Sequence, residues 1–150
     1  LILGQSCALV RYLAQNYDHD HVLLPADKDA AATADEWLNW GDVDLWVANL
    51  RSVYVAWART PEDKWNRVLM DRLWGETHAS FQIIDDILGR RPYLAGENFT
   101  MGDMSAAVAA NRYFKMTYGN RPSFPNVAAW LERLKSRPAF VIHVWDVPLV

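Results

Sequence analysis

The residues best placed to do chemistry stand at the start of the sequence. Gln5 and Ser6 precede an apolar run, Leu9, Tyr12 and Leu13, whose i, i+3, i+4 spacing predicts a helix over about 5–15. The first turn of a helix carries unpaired N–H groups and a partial positive charge. A serine there can offer an anion its backbone N–H and its hydroxyl together, or can serve as a plain N-cap. Cys7 follows as the single cysteine, and a thiol near a helix N-terminus can be acidified towards the nucleophilic thiolate. Asp18-His19-Asp20-His21 has the density of a metal site. Adjacent ligands in a turn-like segment do not form the tetrahedral set zinc prefers, and no further Cys/His pair joins them, so a solvated linker and no metal are expected.

One more acid needs a role. Thr100 and Asp103 stand three apart before an alanine-rich helix. That spacing lets Thr100 cap the helix while the Asp103 carboxylate reaches back to the Thr100 N–H, with Phe99 and Met104 in the positions of a hydrophobic staple. Asp103 therefore reads as structural rather than as a catalytic acid.

The elements that must position these groups are helical. A long helix is expected from about Asp29 to Ala58, with Val43, Trp46, Leu50, Val53 and Trp57 on one apolar face. Thr60-Pro61 breaks it. The next is expected from Pro61 to Leu88, with Leu73, Thr77, Phe81, Ile84 and Leu88 along one side and Gly89 as its stop. Ala106, Ala107, Ala109 and Ala110 allow close helix approach and put their helix at the centre of a bundle. Pro125 opens another helix with Val127, Trp130, Leu131 and Leu134 inward, and Arg137-Pro138-Ala139-Phe140 starts a last short one. Leu1-Ile2-Leu3-Gly4 reads as the end of a buried strand entering a turn, so the sequence is expected to begin mid-domain. No other strand pattern of useful length occurs, and the fold class is all-α.

Composition narrows the function. A hydrophobic fraction of 51% over 150 residues suffices for a core. No basic stripe points to nucleic acid, and no apolar run reaches the length of a membrane span. One cysteine excludes an intrachain disulfide and fits a reducing cytoplasm. Eight tryptophans point to broad aromatic contacts or an aromatic-lined cleft.

Three stretches together resemble the cytosolic glutathione transferases. Gln5-Ser6-Cys7-Ala8-Leu9-Val10-Arg11-Tyr12-Leu13 is similar to the segment that closes their thioredoxin-like domain. Tyr93-Leu94-Ala95-Gly96-Glu97-Asn98-Phe99-Thr100-Met101-Gly102-Asp103 resembles their capping-box segment. Phe124-Pro125-Asn126-Val127 with Arg137-Pro138-Ala139-Phe140 is similar to their penultimate helix and its ending. Leu23-Leu24-Pro25 and Arg59-Thr60-Pro61 resemble a bacterial subgroup. Cys7 where Asn is common and Gly102 where Ala is usual are departures.

The resemblance implies a thioredoxin-like remnant over 1–17, a linker over 18–28 and the all-helical C-terminal domain over 29–150. It implies a cytoplasmic homodimer that conjugates glutathione, its co-substrate, to small electrophiles or uses it to remove a halogen. Gln5 and Ser6 would hold the γ-glutamyl end. Asn49, Arg51, Val53, Tyr54, Trp57 and Tyr113 are candidates for the electrophile pocket, and for each the alternative is core packing or, for Arg51, a surface ion pair. The sulfur-activating Ser, Cys or Tyr has no match here and is expected in a preceding segment; Cys7 sits where a packed neighbour of the glutathione site is expected. The competing readings are a non-catalytic helical interaction module and a carrier for hydrophobic ligands.

Overall fold

The computed structural model describes residues 1–149, and these form α-helices joined by short turns. α1 spans Ser6–Tyr17, α2 Lys28–Trp40, α3 Arg51–Arg59, α4 Arg67–Leu88, α5 Gly102–Lys115, α6 Pro125–Leu134 and α7 Pro138–Phe140. Gly41–Leu50 continues α2 into α3 without a break, and Val141–Trp145 continues α7. Both continuations are wound wide. Arg51 N–H donates to the Trp46 carbonyl and Asp146 N–H to that of Val141, five residues back in each case.

The expected long helix is therefore present, and Leu50 and Val53 face inward as the spacing suggests, but Val43 does not. The wide winding makes Leu38, Gly41, Leu45, Leu50 and Val53 the buried set. The step from Leu45 to Leu50 is five residues, about 1.4 turns of a regular α-helix, so Val43 turns outward and is 54% exposed. Trp46 is half-buried.

α4 begins at Arg67, later than the expected Pro61. Asn66 accepts from Leu69 N–H at 3.1 Å and caps it. Residues 61–66 serve the end of α3 instead, because the Trp65 indole donates to the carbonyls of Ala56 and Thr60 at 3.0 and 2.9 Å. The Ala56 carbonyl also accepts from Thr60 N–H at 3.0 Å, whereas the Thr60 carbonyl, past the helix end, takes its bond from the indole. Leu73, Thr77, Phe81, Ile84 and Leu88 are buried along α4 as one stripe.

α5 runs through the centre, with Ala106, Ala107, Ala109 and Ala110 all buried. Two glycines let α2 and its continuation approach it closely. A Cβ on Gly41 would lie 2.7 Å from the Ala106 nitrogen, and one on Gly102 would lie 2.9 Å from the Ala34 carbonyl oxygen. The Asp103 carboxylate is fully buried at the head of α5. It accepts from the N–H groups of Leu94 and Thr100 and from the Trp130 indole, each at 3.0 Å, while the Thr100 hydroxyl accepts from Gly102 N–H at 3.2 Å. The capping box is thus also the joint between the 93–100 loop, α5 and α6. Asp85 plays a similar part from α4, taking the N–H groups of Asn126 and Val127 at 2.8 and 3.0 Å at the start of α6.

The first residues differ from expectation. Leu1–Gly4 form no strand, and Leu1 and Ile2 are exposed, because no other strand among the described residues offers them a ladder. On α1 it is Cys7 and Ala14 that pack inward, whereas Leu9 and Leu13 are exposed.

His78 on α4 gives the bundle a pH response. Its ring stands 5.2 Å from Trp74 and 6.0 Å from Tyr113, with Nε2 buried and unpartnered. Burial, then the charge of Arg121, hold its imidazole below the ordinary value of 6.5. A base depressed by folding contributes stability that is complete above its unfolded pKa and declines as pH falls towards the folded one. The melting temperature is expected to drop between about pH 7.5 and 5.5, and to drop less in His78→Leu. Equal slopes for the two proteins would count against this account.

Candidate functional site

α1 is fixed by its side towards α2. The Arg11 guanidinium pairs with Asp35 and donates to Asn39 Oδ1 at 2.5 Å. The Cys7 sulfur lies 3.9 Å from both the Leu38 carbonyl and the Ser105 hydroxyl. Burial, then the nearby Asp42 carboxylate, push this thiol above its ordinary value. Cys7 is a protonated packing residue, and the geometry gives it no nucleophilic role.

The anchoring leaves the mouth of α1 open. Gln5 is extended, with φ −114° and ψ 129°, and no side chain caps the helix. Ser6 is exposed and lines a cleft of about 330 Å³ with Asp42, Trp46, Met104, Ser105 and Arg112. Gln5 is exposed beside it. The first-turn N–H groups and the serine hydroxyl thus face solvent at a cleft edge, an arrangement suited to a carboxylate.

Two further cavities meet this cleft at Val108. One, of about 310 Å³, is largely apolar and is walled by Leu23, Phe99, Met104, Phe140 and Val144. The other, of about 90 Å³, lies among Tyr54, Asn111, Arg112, His143 and Leu149. The segment after α7 covers them. Tyr54 donates to the Leu149 carbonyl at 2.6 Å and Asn111 Nδ2 to that of Val144 at 2.8 Å. Lys115 Nζ donates to the Trp145 carbonyl, and Lys135 Nζ stands 3.6 Å from the Trp145 ring centroid.

Of the candidate electrophile residues, only Tyr54 lies in this group of cavities. Val53 and Tyr113 are in the core, where Tyr113 stacks on Phe81 with centroids 4.2 Å apart. Asn49 donates to Ser80 on α4 at 3.1 Å. Arg51 is exposed outside the cleft. Trp57 lines a separate cavity with Glu62, Trp65 and Asp71. The residues missed are Trp46, Met104, Val108 and Arg112. Met104, Val108 and Arg112 repeat every four positions along α5, a ridge that the alanine pattern of the same helix hides.

The Asp18–His21 run organises the turn into α2. The Asp18 carboxylate accepts from the N–H groups of Val22, Leu23 and Leu24 at 3.0, 2.7 and 2.8 Å. Burial works to raise this carboxyl, but the three donors outweigh it and hold it below its ordinary value. Among the described residues no three His, Cys, Asp or Glu side chains gather as a metal site, and no helix is long and apolar enough to cross a membrane.

Residues 43–133 match the family described as glutathione S-transferase, C-terminal domain. The chain belongs to that family. Family members similar to it include glutathione S-transferase GstB of Escherichia coli, 30% identical over 141 residues that make up 93% of this chain and 65% of GstB. Human glutathione S-transferase theta-2B is 30% identical over 90% of this chain and 56% of its own length. The chain therefore spans somewhat less than two thirds of the curated relatives it matches. Among solved structures, the theta class glutathione S-transferase of Xanthomonas axonopodis pv. citri with glutathione bound superposes with a TM-score of 0.91 at 30% identity. That superposition covers all of this chain and 70% of the other.

Proposed function

We propose that this chain is the helical portion, with the glutathione-holding edge, of a bacterial cytoplasmic glutathione transferase. Glutathione enters the cleft as co-substrate, its γ-glutamyl carboxylate on the first-turn N–H groups of α1 and the Ser6 hydroxyl, and its ammonium near the Gln5 amide oxygen. Its thiolate forms a bond to an electrophilic carbon held in the cavities around Val108. The electrophile's leaving group, a halide where the reaction is a dehalogenation, departs with the electron pair of the broken bond. The helical chain supplies binding and enclosure for this step. The group that lowers the thiol's pKa belongs to a part of the enzyme that precedes Gln5.

The observation that carries this reading is the uncapped α1 N-terminus with Ser6 exposed on the cleft. The likeness to a family structure with glutathione bound supports it. Exposed Val43 and Val47 on the long helix and Ile83 on α4 support a homodimer paired through those two helices. A non-catalytic interaction module would have no use for an open serine-lined helix mouth, and the same experiment separates the two.

Glutathione titrated into the wild type by calorimetry is expected to bind. Ser6→Ala is expected to bind about tenfold more weakly, the weight of a hydrogen bond to a charged acceptor. Absence of binding, or equal affinity in the variant, removes the assignment.

A further inference from the structure

The cleft contains a charged group that the conjugation as described leaves unused. The Arg112 guanidinium lies 4.4 Å from the Trp46 ring centroid and 5.5 Å from that of Tyr54. It lines both the Ser6 cleft and the small cavity beneath residues 143–149. Among the described residues it has no ion-pair partner, whereas Arg11, Arg67, Arg72 and Lys135 each pair with a carboxylate. Asp42 lines the same cleft but stands beside Cys7, whose thiol it helps to raise, and it does not pair with Arg112.

A guanidinium held on aromatic faces keeps its N–H edge available, and that edge fits a carboxylate through two parallel hydrogen bonds. Val108 and Met104 stand four and eight residues before Arg112 along α5, on the same side of the helix, and both line the Ser6 cleft with it. Those two residues border the apolar cavity of about 310 Å³. An apolar body in that cavity and a negative charge on Arg112 are therefore within the span of one small molecule. We propose that the second substrate is a hydrophobic electrophile bearing a carboxylate, with Arg112 as the residue that selects for the charge. This rests on the reading of the cleft as a conjugation site, and it narrows the substrate class.

The test uses two ligand pairs that differ in charge and hardly in shape. Calorimetry compares S-(4-carboxybenzyl)glutathione with S-(4-carbamoylbenzyl)glutathione, and 4-ethylbenzoate with 4-ethylbenzamide, in wild type, Arg112→Met and Arg112→Lys. The wild type is expected to prefer the carboxylate of each pair by about tenfold. Arg112→Met should erase the preference, and Arg112→Lys should retain part of it. Circular dichroism melts confirm that each variant is folded.

Equal affinities in the wild type, a preference that survives in Arg112→Met, or no binding by either pair overturns the proposal. Suppose the conjugates bind no tighter than the ethyl compounds while the Arg112-dependent preference persists. Then the glutathione reading at Ser6 fails and the Arg112 assignment stands. Tight conjugate binding without a charge preference does the opposite, keeping the Ser6 reading and removing the role of Arg112.

Discussion

Replacing Asp103 with alanine is expected to lower the stability of the fold by about 3–5 kcal/mol, measured by urea denaturation. An exposed capping residue usually contributes about 0.5–2 kcal/mol, and the larger figure follows from where this carboxylate sits. It is fully buried and accepts from three donors that lose this acceptor once it is removed: Leu94 N–H, Thr100 N–H and the Trp130 indole. Each stranded buried donor costs about 1–3 kcal/mol, and the three share one site, so the costs do not simply sum. Asp103→Asn keeps one acceptor oxygen and should lose roughly half as much. A loss below about 1 kcal/mol for Asp103→Ala would show that the loop, α5 and α6 are joined some other way.

The same carboxyl bears on acid stability, with a sign opposite to that of most acids. Burial raises it from its ordinary value, against the three donors and the charge of Arg137. A raised acid contributes stability that is complete below its unfolded pKa and is lost as pH rises through the folded one. Protonating Asp103 is therefore not what unfolds this bundle in acid. Asp18, held low, acts in the usual direction, its contribution disappearing as pH falls through its folded value.

Gly41→Ala should destabilise by about 2–3 kcal/mol, although alanine is the better helix former by up to about 1 kcal/mol. The added methyl would meet the Ala106 backbone nitrogen at 2.7 Å and the Ser105 Cβ at 3.1 Å. Backbone cannot swing aside as a side-chain tip can, so α2 and α5 would have to part. Gly75 provides the control. It lies in α4 with nothing within 4 Å of an added Cβ, so Gly75→Ala should stabilise by about 0.5–1 kcal/mol. Melting curves of the two variants should move in opposite directions. Movement in the same direction would mean that propensity, not helix approach, governs Gly41.

How much of this is legible in the sequence depends on the distance between cause and effect. The stripe of α4, the inward residues of α6 and the Thr100–Asp103 box are local patterns with fixed spacing, and they read directly. The wide winding of 41–50 does not, because a five-residue step belongs to no regular period. A regular period consequently puts Val43 inside, and it puts Trp46 in the core when that residue borders the cleft. Asp85 serves Asn126 from 41 residues away, and nothing near either residue announces the pairing. In the site, Ser6 is legible from its place at a helix start. Aromatic character alone favours Tyr113 over its neighbour Arg112. Adjacent residues on a helix point about 100° apart, and here that rotation puts the tyrosine in the core and the arginine in the cleft. The Asn111-Arg112 break in the alanine run is the available signal.

The wide stretch from Gly41 to Leu50 has a consequence for how this sequence can vary. A regular helix gripped at both ends cannot gain or lose a residue without rotating one grip relative to the other. Here one residue of slack is already stored between the contact at Leu45 and the contact at Leu50. A single-codon deletion in that interval can be absorbed by tightening the coil, whereas the same deletion between Ala34 and Leu38 has no reserve to draw on. The cleft wall at Trp46 is thus where the chain can change length and reshape the cleft while both halves of the long helix keep their seats.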